Sequence, residues 1–154
     1  MMALCLRYAY TNFEAEDIFQ EAFVKVFQKL NQYQNKGSFE GWMRHIFVNT
    51  ALNHYTKNKK HYQHEDVEQQ FDISVAEVDI MSRLSHEDLL TLIQQLPDGY
   101  RMIFNLNVIE GYTHKEISDM LGINEGTSKS QLSKAKSILQ KKILQTKTVA
   151  SHVA

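Results

Sequence analysis

The stretch Tyr112-Thr113-His114-Lys115-Glu116-Ile117-Ser118-Asp119-Met120-Leu121-Gly122-Ile123-Asn124-Glu125-Gly126-Thr127 constrains the fold of this chain more than any other. Thr113 and Glu116 stand at the T-x-x-E spacing of a capping box, which satisfies the free N–H groups of a helix start. Ile117, Met120 and Leu121 then recur at helical intervals, and Gly122 lets the backbone turn sharply. Asn124 suits the N-cap of a second helix. From Thr127 to Lys147 that helix carries six lysines and no carboxylate. A short helix, a glycine turn and a basic helix form the geometry that lays a helix in the major groove of DNA.

At 154 residues the chain accommodates one domain or two small ones. Its single proline and six glycines favour helices over a turn-rich β fold. No apolar run reaches the roughly 18 residues of a membrane helix, and the N-terminus lacks a signal-peptide pattern. The lone Cys5 forms no internal disulfide and fits a reducing cytoplasm, where its apolar neighbours Leu4 and Leu6 favour packing over reactivity. The net charge of −1 conceals an asymmetry. Residues 1–62 carry 8 basic and 5 acidic groups, residues 63–99 carry 1 and 9, and residues 100–154 carry 8 and 4. Two mildly basic ends therefore flank an acidic middle, a sign pattern more telling than the overall charge.

Glu14 to Leu30 reads as an amphipathic helix. Ile18, Phe19, Ala22, Phe23, Val26, Phe27 and Leu30 make a wide apolar face. Glu14, Glu16 and Asp17 crowd its first turn, where the helix dipole favours negative charge. The phenylalanines suit a core and a partner surface alike. After a polar break containing Gly37, Ser38 is placed to cap a helix from about Phe39 to Thr56, with Met43, Ile46, Phe47, Thr50 and Ala51 facing the core. Asn49 and Asn53, four apart, stack along one line of that helix near Trp42. Arg44 projects from it too, and Lys57, Lys59 and Lys60 follow. Amides, an indole and basic groups on one surface suit single-stranded nucleic acid, whose bases stack on rings and whose phosphates meet cations. The plainer alternative makes Trp42 a core residue and the asparagines merely solvated.

His61 to about Leu84 lacks a helical stripe and reads as an acidic linker, with room for a short helix near Val75 to Met81. A further helical region opens at Ser85, with Leu89, Leu92, Ile93 and Leu96 as its apolar stripe. Pro97 marks the first position of a following helix, where its missing N–H costs nothing, and Arg101 to Ile109 continues as helix. In the last helix, Glu125 to Leu144, helical rotation gathers Ser128, Leu132, Ala135, Leu139 and Ile143 on a packing face. Thr127, Ser130, Gln131 and Lys134 cluster beside it, with Lys129 and Ser133 at the margin. Gln131 has the geometry to pair with adenine and Lys134 to donate to guanine. Lys129, Lys136, Lys141 and Lys142 suit phosphates. The alternative is a solvated, lysine-rich helix end.

Taken together, these segments resemble the extracytoplasmic-function (ECF) sigma factors, two-domain members of the sigma-70 family of bacterial RNA polymerase subunits. Ala15-Glu16-Asp17-Ile18-Phe19-Gln20-Glu21-Ala22-Phe23 resembles the region 2 helix that docks on the β′ coiled coil. Gly37-Ser38-Phe39-Glu40-Gly41-Trp42 and Ile46-Phe47-Val48-Asn49-Thr50-Ala51 resemble the segment that opens and reads the −10 element. Leu96-Pro97, Tyr100-Arg101 and Glu110-Gly111-Tyr112 lead into a region 4-like helix-turn-helix, which reads the −35 element. The resemblance implies an all-α fold of two small helical domains, 1–62 and 84–146, joined by a flexible acidic linker at 63–83 and followed by a tail at 147–154. It implies polymerase contacts at Asp17, Gln20, Glu21, Phe23 and Phe27. Contacts to the −10 element fall at Tyr33, Trp42, Arg44, Asn49 and Asn53, and contacts to −35 at Thr127, Lys129, Ser130, Gln131, Ser133, Lys134 and Lys136.

Core polymerase (β′ coiled coil and β subunit) and promoter DNA are the implied partners, with an anti-sigma factor as a further one, no membrane insertion and a cytoplasmic location. No cofactor, metal or catalytic residue is implied. The linker is expected to thread polymerase channels later filled by RNA, with Glu65, Asp66, Glu68, Asp72, Glu77 and Asp79 as the mimicking charges, or else to serve as a solvated tether. Three departures stand out: a shortened first helix ahead of Arg7-Tyr8, Ser128 where valine is common, and Gln131, Lys134 and Lys136 where arginines are common. Lysine lacks the planar fork of arginine, so the expected readout changes.

Two other classes compete with this reading. A helix-turn-helix regulator that does not bind core polymerase needs a ligand-sensing first half, which the region 2-like sequence and the lack of a pocket-forming segment oppose. An enzyme needs a nucleophile elbow or a metal set, yet His54, His61 and His64 lack the spacing of a closed metal site with cysteines.

Overall fold

A computed structural model gives the chain an all-helical architecture, and it describes residues 1–62 and 86–152. Two compact units divide after His64. The expected acidic linker at 63–83, its short helix near Val75, its six carboxylates and the expected helix start at Ser85 lie outside the described residues.

In the first unit, α1 (Met2–Tyr8), α2 (Asn12–Lys29) and α3 (Phe39–Tyr62) pack against one another. Helix α2 begins two residues before the expected Glu14 because Thr11 is its cap. The Thr11 hydroxyl accepts from the Glu14 N–H at 3.1 Å, and the Glu14 carboxylate accepts from the Tyr10 N–H at 2.7 Å. The half-box at Thr11 thus differs from the one at Thr113 in that its carboxylate reaches the N–H of the residue before the cap. Ala15, Ile18, Ala22 and Val26 form its buried stripe. Ile46, Phe47, Val48, Thr50, Ala51 and Leu52 supply that of α3, and Leu4, Cys5 and Tyr8 close the core from α1. Burying such side chains contributes about 1.5–3 kcal/mol each for the larger ones. Helix α3 runs past the expected end at Thr56 to Tyr62. A helix can outrun its core contacts, and a basic residue such as Lys57 is favoured towards the C-terminal end of its dipole.

The second unit comprises α4 (His86–Gln94), α5 (Asp98–Phe104), a π-helical turn (Asn105–Ile109), α6 (His114–Leu121) and α7 (Glu125–His152). Pro97 occupies the cap of α5 rather than its first helical position. Arg101, 2% exposed, bonds the carbonyls of Gln94 and Leu96 and the carboxylate of Asp98, so one guanidinium fastens the α4–α5 turn. The expected continuous helix from Arg101 to Ile109 widens into the π turn, where the Glu110 N–H reaches the Asn105 carbonyl at 2.9 Å. Helix α7 runs beyond the expected Leu144 as far as His152, into the segment read as a tail, and no glycine or proline interrupts it.

Candidate nucleic-acid interface

The helix-turn-helix forms as its sequence dictates. Thr113 and Glu116 make the complete capping box, and hydrogen bonds from the Thr113 N–H and hydroxyl hold the Glu116 carboxyl below the usual carboxylate range. Gly122 ends α6 at φ 65°, a left-handed conformation that a side chain would strain. The turn is tied across it, the Ser118 hydroxyl donating to the Ile123 carbonyl at 2.5 Å. Asn124 caps α7, accepting from the Thr127 N–H at 2.7 Å and hydroxyl at 3.0 Å.

Ser128, Leu132, Ala135, Leu139 and Ile143 are all buried, which is the packing face that helical rotation predicts. Ser128 does not sit there as a mismatched polar group, because its hydroxyl pairs with Nδ1 of His114 at 2.8 Å. That bond joins the first turn of α6 to the first turns of α7. Lys129, Ser130, Ser133, Lys134 and Lys136 are exposed, while Thr127 and Gln131 are half-buried. Thr127 is engaged with Asn124, and the Ser130 hydroxyl donates to the Thr127 carbonyl at 3.0 Å. Lys129 makes a loose pair with Glu125 at 3.8 Å, worth under about 1 kcal/mol at such exposure. Helical rotation puts Gln131 and Lys134 on the flank opposite to that of Lys129 and Lys136, so exposed cations lie to both sides of the packing face.

In the first unit, a groove of about 410 Å³ opens between α2 and α3, lined among others by Trp42, His45, Asn49 and Asn53 from α3 and by Lys25 and Lys29 from α2. Asn49 and Asn53 have no side-chain hydrogen-bond partner among the described residues. Trp42 is half-buried at one end, packed against Tyr33 and Phe39 with ring centroids 5.4 and 5.6 Å away. The Tyr33 hydroxyl donates to the Gly37 carbonyl at 2.8 Å, which fixes the aromatic cluster to the α2–α3 loop. Tyr33, Trp42, Asn49 and Asn53 are therefore brought together. Arg44 is not: two residues on from Trp42, it lies about 200° around the helix and does not line the groove. The α2 lysines lining the groove, together with Gln32, carry no signal in the sequence pattern, since only tertiary packing joins them to α3.

On α2, Asp17 and Gln20 are exposed and Phe27 is 68% exposed. They belong to a stripe completed by Phe13, 73% exposed, and Val24, 55% exposed. The alternating steps of four and three from 13 to 27 are the signal for this outward seam. Phe23 instead lies half-buried against Phe19, Phe27 and Phe47. Glu21 faces α3: its carboxylate accepts from Lys25 Nζ at 2.6 Å and from His54 Nε2 at 2.6 Å. Lys25 is the larger cause, with His54 assisting, that holds the Glu21 carboxyl below the usual range. An ionised carboxylate only accepts, so Nε2 of His54 is the donor in this pair. No group of three or more potential metal ligands occurs among the described residues, and no described helix is long and apolar enough to cross a membrane.

Comparison with known proteins agrees with this division. The Sigma-70 region 2 family model matches residues 1–61, and that for Sigma-70, region 4 matches residues 86–139. The RNA polymerase sigma-H factor of Pseudomonas aeruginosa is 26% identical, the match covering 92% of this chain and 79% of that protein. The ECF RNA polymerase sigma factor SigE of Mycolicibacterium smegmatis is 30% identical over 89% of this chain, which spans 54% of that relative's length. The sigma factor RpoE of Bartonella quintana, solved with the anti-sigma factor NepR, shares the fold at a TM-score of 0.58 and 20% identity, covering 94% of this chain and 89% of that one.

Proposed function

The chain belongs to the sigma-70 family as an ECF sigma factor, and from that premise we propose how it binds core RNA polymerase and directs initiation at particular promoters. The first unit, taken as residues 1–62, docks on the β′ coiled coil and engages the −10 element. The second, taken as 84–146, reads the −35 element, contacts the β subunit and is joined to the first by the acidic segment 63–83. An anti-sigma factor is a further partner in this reading.

The observation that carries it is the groove beside Trp42, whose amides have no hydrogen-bond partner among the described residues. Melting DNA without fuel requires capture of an unstacked base. Half-buried aromatic faces and free amides supply stacking and edge contacts for one. The outward α2 stripe supports docking through Asp17, Gln20 and Phe27, with Phe23 packing beneath them. Glu21 serves this surface indirectly by fastening α2 to α3. On α7, Gln131 and Lys134 read bases from the N-terminal half of the helix, while Thr127, Lys129, Ser130, Ser133 and Lys136 position it on the backbone. Arg44 contributes from outside the groove.

The test is open-complex formation by reconstituted holoenzyme. Asn49→Ala should impair a duplex promoter and be partly rescued by a pre-melted −10 bubble. Equal loss on both templates would rule out base capture. Phe27→Asp should weaken binding to core polymerase, and unchanged affinity would remove the docking role.

A further inference from the structure

We infer that Lys25 donates a hydrogen bond to the edge of the base captured in the α2–α3 groove, an assignment that rests on the base-capture reading above. Lys25 is half-buried and lines the groove from α2, opposite the Asn49/Asn53 line of α3. Its ammonium is held on two sides, by Glu21 Oε1 at 2.6 Å and by Thr50 Oγ1 at 3.3 Å. Thr50 is itself 1% exposed, and its hydroxyl donates to the Ile46 carbonyl at 2.8 Å, so the lysine is anchored on the rigid floor of the groove. An ammonium has three donors, and two acceptors leave one N–H for a ligand.

The choice of a base rather than a phosphate follows from charge. The carboxylate of Glu21 offsets the charge of Lys25, so the long-range pull on a phosphate is weak while the directional N–H remains. Lys29, one turn further along α2 and exposed at the rim, has no carboxylate partner among the described residues and suits the backbone. The groove thus separates its two lysines by depth: the neutralised one reads the base and the free one holds the phosphate.

The test uses holoenzyme built from core polymerase and the full chain, on promoters in which each melted non-template nucleotide of the −10 element is made abasic in turn. Wild-type protein should lose about tenfold in open-complex formation at one position, the equivalent of about 1.4 kcal/mol. Lys25→Met should lose a similar factor on the intact promoter and nothing further at that one abasic position. Lys25→Gln, which keeps a donor towards Glu21 and Thr50, is run in parallel as a folded counterpart. If either folded variant shows the same additional loss on abasic and intact templates, Lys25 only holds α2 to α3 and the inference is overturned. If wild-type protein tolerates an abasic site at every position, the base-capture reading itself fails and takes this assignment with it.

Discussion

At the scale of single residues, burial and partnering decide what each polar group does. The thiol of Cys5 is fully buried, and burial pushes its pKa from the ordinary 9.0 up to about 11. A raised acid favours the protonated, folded form, so its stabilising contribution is complete below about 9 and is lost as pH rises through about 11. Alkylation at pH 8 should therefore require unfolding, and Cys5→Ala should lack this segment of the alkaline stability slope. Rapid labelling of the native chain would contradict the packing role. Ser128 illustrates partnering. Replacing it with alanine removes the hydroxyl from His114 and should cost about 1 kcal/mol, read as a lowered unfolding midpoint of the second unit. An unchanged midpoint would mean that water replaces the bond without loss.

At the scale of elements, the legible features were those written in local periodicity or caps. The Thr113–Glu116 box, the Gly122 turn and the α7 packing face follow directly from residue type and spacing. The π turn at Asn105–Ile109 was not legible, because its apolar pattern suits an ordinary helix equally well. Nor was the inward role of Glu21: spacing puts Lys25 within reach on the same helix, but only the packing of α3 brings His54. For the same reason Asn49, Asn53 and Trp42 were readable as one helical line, whereas the lysines that complete their groove sit on another element. The division of labour along α7 yields a prediction. Lys134→Ala and Gln131→Ala should each relax base preference at −35, by about 1–3 kcal/mol for a good contact. Lys141→Ala should weaken binding to all sequences alike and flatten its salt dependence. Altered base preference in Lys141→Ala, with none in Lys134→Ala, would reverse the assignment.

At the scale of the whole molecule, the two units carry separate apolar cores, and the proposal gives each a reading surface of its own. Fragments 1–62 and 84–146 should each be helical and unfold cooperatively by circular dichroism, and a fragment that is unstructured alone would argue against two autonomous domains. Those surfaces have a joint purpose only if polymerase is their common partner, which is what separates a sigma factor from a regulator that binds DNA by itself. The most direct measurement is transcription of genomic DNA by purified core polymerase, with and without the chain, with start sites mapped. The account predicts a discrete set of starts that require the protein and share −10 and −35 elements at fixed spacing. Starts that are the same without it, or DNA binding by the chain with no gain in initiation by core enzyme, would contradict it.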